Sequence, residues 1–469
     1  MMRSLAMVVV VVVLGWLGAA HAAPAKGPEG LWLGTLEVGA VKLRLAFHVE
    51  RAADGTLHST VDSLDQNATG IPVDTTTYTA PQLTLALTKL NAQFAGKLDG
   101  DTLTGTWTQS GPHALVLSRV DKLDAPRRPQ EPKRPFPYTE EEVSISVRAA
   151  PLDAKDTTRI TLAGTLTLPP GKGPFPAVVF ITGSGPQDRD EALFGHKPFL
   201  VLSDALTRRG IATLRVDDRG VGKSTGNATK STTLDFAEDV IAELAWLTAR
   251  PEIDRRAVGV IGHSEGGVIG PIVAAKSDRA RFVVMLAGTG MNGERVLMEQ
   301  SALIARAMGI PEDKIQKDAA SLAKGYQALR AAKTDADVEA VVKAFIAADP
   351  AQKDARANQA PLIRSPWFRA FLTLEPATYL EKLRVPVLAI SGDKDLQVPP
   401  DNQPLIEAAL KRGKNPDATV KLLPGLNHLF QHAKTGAPVE YGTSEETFAP
   451  EAIQLVTDWI VEHTARLRR

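Results

Sequence analysis

The sequence predicts an α/β protein: a mostly parallel sheet flanked by helices, with a helical insertion near its middle and a small antiparallel β-barrel-like domain in front of it. Three observations predict this. Continuous apolar runs alternate with helical patterns from Pro176 onward, which is how strands buried on both faces read. The segment Val258-Gly259-Val260-Ile261-Gly262-His263-Ser264-Glu265-Gly266-Gly267 sets a serine in a tight turn between such a strand and a helix. Between Gly30 and Arg119, by contrast, apolar residues alternate with period two and are broken by turn dipeptides.

The first element is an N-terminal export signal. Arg3 precedes an apolar run from Leu5 to Leu17, and Ala20-His21-Ala22 supplies the small-residue cleavage pattern, so residues 1–22 are expected to be removed. No later segment reaches the roughly 18 apolar residues of a membrane span, and no stable span is expected after cleavage. The expected location is periplasmic or secreted. The chain has 469 residues and no cysteine, which excludes disulfides, a lipidated cysteine and thiolate metal sites. Lys plus Arg and Asp plus Glu number 54 each, a balance that leaves no electrostatic footprint for nucleic acid.

Residues 28–120 read as the β-barrel or sandwich. Its expected strands are Leu31-Trp32-Leu33, Val41 to Val49, Gln82 to Leu87, Thr102 to Trp107 and Ala114 to Leu117, with hairpins at Asp54-Gly55 and Asp99-Gly100. Residues 121–138, rich in proline and charge, read as a linker. Residues 139–469 form the expected catalytic domain, with strands at Pro176–Ile181, Ile211–Val216, Ala257–Ile261, Phe282–Leu286 and Val385–Ile390. From about 291 to 378 only helical periodicity is found, including Ala319–Ala331 and Ala336–Ala348, which reads as a lid over the carboxyl ends of the strands.

A serine hydroxyl needs a base to take its proton, and the base needs an acid to hold its tautomer. Ser264 is the candidate nucleophile. Asp395, in the turn after Val385–Ile390, is the candidate acid, and His428, in Pro424-Gly425-Leu426-Asn427-His428 after the next strand, is the candidate base. His432 is the rival base, and Asp395 reads otherwise as a turn-forming residue beside Asp393. His263 points away from Ser264 on strand geometry and reads as packing. An oxyanion hole needs two backbone donors: the residue after the serine, Glu265, and Ser184 in the loop Thr182-Gly183-Ser184-Gly185. The charged run Gln187-Asp188-Arg189-Asp190-Glu191 reads equally as substrate contact or as loop capping. Gly288-Thr289-Gly290-Met291-Asn292-Gly293 satisfies G-x-G-x-x-G, but a strandless lid follows where a second strand bearing an acid belongs, so no nucleotide is expected.

Taken together, the elbow at Ser264, Thr182-Gly183-Ser184-Gly185, Asp217-Asp218-Arg219-Gly220-Val221-Gly222-Lys223-Ser224, Gly392-Asp393-Lys394-Asp395 and Asn427-His428 resemble the α/β-hydrolase superfamily. Within it the chain is similar to exported bacterial serine aminopeptidase-like and acyl esterase-like hydrolases with an N-terminal β domain. The chain departs from the usual His-Gly oxyanion motif by carrying Thr182-Gly183. The resemblance and the triad order imply a serine hydrolase without cofactor or metal, acting on a small-molecule ester with a short to medium acyl group. The alternatives are an exopeptidase acting on small peptides and a glycan- or lipid-binding protein with an inert hydrolase fold. An exopeptidase needs a carboxylate for the substrate amine, for which Glu294 and Glu299 are available. Leu297, Leu303, Ile304, Met308, Phe345, Trp367, Phe368 and Phe371 are available to line an acyl pocket, although most of them read first as the lid's own core.

Overall fold

A computed structural model describes residues 27–38, 41–66, 68–109, 111–123, 127–149, 158–348 and 353–469; the expected signal peptide lies outside them. The N-terminal unit is a single antiparallel sheet of β1 (Gly30–Val38), β2 (Val41–Arg51), β3 (Leu57–Ser63), β4 (Ala68–Pro72), β5 (Thr75–Thr79), β6 (Gln82–Leu87), β7 (Ala92–Asp99), β8 (Thr102–Thr108) and β9 (Pro112–Val120). Its order is β4-β3-β2-β1-β9-β8-β7-β6-β5, so the two edge strands are consecutive in sequence. The link between them is two residues long: Val73 donates to the Ser59 carbonyl of β3 and Asp74 to the Ala86 carbonyl of β6. A two-residue link between opposite edges forces the sheet to curl upon itself. Trp32, Phe47, Phe94 and Trp107 fill the interior, with Phe47 edge-on to Phe94 at 5.1 Å.

Four of these strands, β3, β4, β5 and β7, carry too weak a pattern to be read from sequence. Thr75-Thr76-Thr77-Tyr78-Thr79 has one large apolar residue. In β7 the inward positions are Ala92, Phe94, Gly96 and Leu98, two of them too small to mark a buried face.

The second sheet comprises β10 (Thr139–Arg148), β11 (Arg159–Leu168), β12 (Phe175–Ile181), β13 (Ala212–Val216), β14 (Ile253–His263), β15 (Val283–Leu286), β16 (Val387–Gly392) and β17 (Ala418–Leu423). The order is β10-β11-β13-β12-β14-β15-β16-β17, antiparallel through β10, β11 and β13 and parallel from β13 onward. This is the α/β-hydrolase arrangement. Helices α1 (Pro198–Arg208), α2 (Thr233–Thr248) and α3 (Gly266–Lys276) precede a block of α4 (Gly293–Ala307), α5 (Glu312–Ala331), α6 (Asp335–Ala347), α7 (Lys353–Arg364), α8 (Pro366–Leu372) and α9 (Ala377–Leu380); α10 (Asn402–Arg412) and α11 (Pro450–Leu467) follow.

Helices cover both faces of this sheet. Along β12, Ala177, Val179 and Ile181 join the core beneath α2, α3 and α10, while Val178 and Phe180 join the core beneath α1 and α11. Both sets must be apolar, which is why these strands read as unbroken runs.

The block α4 to α9 contains no strand among its described residues and lies between β15 and β16. Three of its helix starts are locally encoded: Asn292 caps α4, Thr334 forms a capping box with Asp337 at α6, and Ser365 followed by Pro366 opens α8. Val338, Val342, Tyr326, Leu329, Phe368 and Phe371 continue the core of the sheet domain into this cap. Met308 at the end of α4 and Val439 pack against the core of the N-terminal barrel.

Candidate functional site

Strand β14 ends at His263, and Ser264 turns the chain with φ of +55°. For a residue with a Cβ this left-handed conformation is strained by roughly 1–2 kcal/mol. It persists because the surroundings determine it: Ser264 N–H donates to the Leu286 carbonyl at 2.9 Å and Gly267 N–H to the Ser264 carbonyl at 3.0 Å. The flanking glycines are obligatory. A Cβ on Gly262 would strike the Gly266 carbonyl, and one on Gly266 would strike the Ile181 carbonyl of β12.

Asp395 follows β16 and is fully buried. One carboxylate oxygen accepts the N–H groups of Gln397 and Val398, each at 2.8 Å, and the other meets His428 Nδ1 at 2.8 Å. His428 is 4% exposed, in a loop made rigid by its neighbour: Asn427 Oδ1 accepts from the N–H groups of Leu429 and Gln431. A Cβ on Gly392 would hit the Leu426 carbonyl, so the two loops lie backbone against backbone. Among the described residues no hydrogen bond joins Ser264 to His428, a bond that is often long in ligand-free hydrolases. Asp393 takes the Gly425 N–H instead, and His432 is exposed and paired with Glu446 and Glu451.

The loop after β12 lies against the serine: a Cβ on Gly183 would stand 3.3 Å from that of Ser264. Gly183 N–H donates to Glu191 at 2.7 Å, whereas the N–H groups of Ser184 and Glu265 have no hydrogen-bond partner among the described residues. Asp218 clamps the loop at both ends, accepting from the Thr182 hydroxyl and the Gln187 N–H at 2.9 Å each. In place of the usual histidine, Thr182 provides this anchor.

The charged run after Pro186 is spent internally. Arg189 binds Asp217 through two nitrogens, Asp190 pairs with Arg215, and Asp188 caps the turn at Asp190 and Ala192. Glu191 is the member that sequence reasoning undervalued. One of its oxygens takes both the Gly183 N–H and His263 Nδ1, at 3.0 Å, while His263 Nε2 lies 2.9 Å from the His428 carbonyl. His263 is buried, as expected, but it is a polar brace and not packing. Burial alone would depress its pKa; the charge and hydrogen bond of Glu191 outweigh that and raise it. Both ring nitrogens face acceptors, so the ring bridges the loop beside Ser264 and the loop carrying His428. No sequence signal separates this histidine from a packed one, because Glu191 lies 72 positions away.

Behind Thr182 and Gly183 a cavity is lined by Asp218, Asp239, Glu243 and Glu265. Burial raises the pKa of all four, that of Asp239 to about 6 despite its ion pair with Arg219. Among the described residues no group of three or more such side chains is arranged to hold a metal ion. At the G-x-G-x-x-G segment, Asn402 Oδ1 accepts from the N–H groups of Gly290 and Met291 at 2.9 Å each. The donors that would cradle a phosphate are occupied.

Three comparisons bear on this site. Residues 156–422 match the family described as X-Pro dipeptidyl-peptidase (S15 family), a span that includes Ser264 and Asp395 and stops short of His428. Esterase EstD of Thermotoga maritima is 29% identical over 304 residues, which cover 65% of this chain and 66% of that protein. Among solved structures, the Pyrococcus furiosus esterase Pf2001 is 14% identical with a TM-score of 0.44, covering 74% of this chain and 99% of that one. The α/β hydrolase GrgF from Penicillium sp. sh18 is 17% identical with a TM-score of 0.44, covering 70% and 100%. Since the family match takes in more than half of the chain and the elbow at its centre, the protein belongs to the X-Pro dipeptidyl-peptidase (S15) family.

Proposed function

We propose that this protein is a serine hydrolase that cleaves carboxylic esters of short to medium acyl groups through an acyl-Ser264 intermediate. The observation that carries the reading is the buried Asp395–His428 pair on the loops that follow β16 and β17, at the same carboxyl end of the parallel strands as the strained elbow of Ser264 after β14. In this scheme Ser264 Oγ attacks the ester carbonyl while His428 Nε2 takes its proton. Asp395 holds the proton on Nδ1 and stabilises the imidazolium. The carbonyl oxygen becomes an oxyanion, held by the N–H groups of Glu265 and Ser184. His428 then protonates the leaving alkoxide, and water, activated by the same base, releases the acid.

Ester preference is supported by the state of the cap acids. Glu294 is paired with Arg330 at 2.6 Å and Glu299 with Arg295 at 2.7 Å, so each would have to exchange an existing cation to anchor a substrate amine. The relative named as an esterase points the same way. The peptidase reading rests on the family description, which names a dipeptidyl-peptidase. The test compares kcat/KM for butyryl and octanoyl p-nitrophenyl esters with that for aminoacyl and prolyl p-nitroanilides, each normalised to uncatalysed hydrolysis. A larger enhancement for an anilide moves the assignment to peptidase. Turnover of neither class, with no labelling of Ser264 by a fluorophosphonate, leaves the inert binding protein. Export to the periplasm or beyond is part of the proposal and rests on residues 1–22; N-terminal sequencing of the mature chain checks it.

A further inference from the structure

Glu265 makes two kinds of connection. Its backbone N–H, directly after Ser264, is free to face the oxyanion. Its side chain turns inward, 4% exposed, and collects donors from two separate parts of the chain. The Trp367 indole N–H donates to Oε1 at 2.7 Å from α8 of the cap, and the Thr233 hydroxyl donates to the same oxygen at 2.6 Å from the start of α2. The Ser184 side chain, on the residue whose N–H is the second free donor, lies beside the same carboxylate and offsets part of the rise that burial gives its pKa. Both peptide donors proposed for the oxyanion thus sit on residues that meet at one carboxylate, and a hydrogen bond ties that carboxylate to the cap.

An isolated buried carboxylate is costly, and an apolar residue would fill this volume without needing partners. The carboxylate is stable here only while its donors are seated. Trp367 itself is held by the cap, stacked on Phe371 at 5.0 Å and 18°. Displacing α8 removes the indole from Glu265 and leaves the carboxylate with the Thr233 hydroxyl alone beside Ser184, so that its side chain, and with it the peptide after Ser264, shifts.

We propose that Glu265 is a positioning residue that makes the oxyanion hole competent only when the cap is seated, with the Trp367 indole as the contact that reports the cap's position. The proposal deepens the serine-hydrolase reading and rests on it. Trp367 and Glu265 touch no reacting atom through their side chains; they act on the two N–H groups.

The experiment uses the full mature chain with Trp367→Phe, which keeps the ring and removes the donor, and Thr233→Val, which removes a donor to the same oxygen without touching the cap. Labelling of wild-type Ser264 by a fluorophosphonate comes first: its absence refutes the hydrolase reading itself, whatever the variants do. With labelling present, three quantities are measured on p-nitrophenyl butyrate: kcat, KM, and the inhibition constant of phenylboronic acid, whose tetrahedral serine adduct places an oxygen at the oxyanion position. Removing a whole oxyanion donor lowers kcat by 10²–10³, so displacing one in Trp367→Phe is expected to lower kcat roughly 10- to 100-fold. KM should stay within about threefold, boronate affinity should fall in step with kcat, and the melting temperature should change little. Thr233→Val should show the same split with smaller amplitude, whereas Val338→Ala, which loosens the cap core away from Glu265, should not. Wild-type kcat in Trp367→Phe, a loss confined to KM, or a loss of kcat with boronate affinity unchanged would each overturn the proposal. If Trp367→Phe does not fold, Thr233→Val decides: unchanged kcat and boronate affinity there overturn it.

Discussion

Asp395→Asn tests the site at its most determined point. The two oxygens of Asp395 are not equivalent: one accepts two backbone N–H groups at 2.8 Å and the other accepts only His428 Nδ1. An asparagine must therefore place its oxygen toward Gln397 and Val398, since its NH2 there would face two donors. That leaves the NH2 opposite His428 Nδ1. The ring can accept this hydrogen bond only in the tautomer with its proton on Nε2, and in that tautomer Nε2 has no lone pair for the Ser264 proton. Geometry and packing are preserved while the base is blocked. Substitutions of this kind in Ser-His-Asp triads lower kcat by about 10⁴, or about 5.5 kcal/mol at roughly 1.4 kcal/mol per tenfold. The assay is kcat/KM for p-nitrophenyl butyrate at neutral pH, with circular dichroism as the check on folding. A folded Asp395→Asn protein within tenfold of wild type would refute the tautomer argument and the assignment of Asp395.

Four further outcomes are expected. Ser264→Ala should abolish turnover, typically by about 10⁶ in kcat, and fluorophosphonate labelling with it; His432→Ala should be nearly silent, because its pairs with Glu446 and Glu451 are exposed and such pairs contribute about 0–1 kcal/mol. The His263–Glu191 brace raises the imidazole pKa above its unfolded value of about 6.5, so its stabilisation is complete below that value and is lost as pH rises through the folded pKa. The melting-temperature gap between wild type and His263→Gln should therefore narrow between pH 6 and pH 9; a gap that widens reverses the sign of the argument. Finally, a chain starting near Tyr138 should melt lower than one starting at Arg127, because Arg128 donates to the Ser444 and Phe194 carbonyls at 2.7 and 3.1 Å, and Gln130 bridges Thr447 and Phe448. Both chains should keep Ser264 reactive toward a small activated ester; a folded chain from Arg127 that no longer labels would show that the barrel takes part in the chemistry.

What the sequence by itself determined follows from short-range constraints. The parallel strands β12 to β16 are legible because both faces of each are buried, and the elbow is legible because two backbones crossing at Gly262 and Gly266 tolerate no Cβ. Asp395 and His428 could be located because each sits in a loop directly after a strand. The antiparallel pair β10 and β11 escaped notice because it lies at the sheet edge, where Thr139-Glu140-Glu141-Glu142 masks the alternation of Val143, Ile145 and Val147. Long-range pairing was decided by the tertiary structure alone. Glu191 with His263, Asn402 with the Gly290 and Met291 N–H groups, and Glu265 with Trp367 are separated by 72, more than 110 and 102 residues. Periodicity and capping act within a few residues, whereas the partner of a buried polar group is set by whichever loop the sheet brings beside it. The roles of His263, Glu191 and Trp367 therefore exist only in the folded chain.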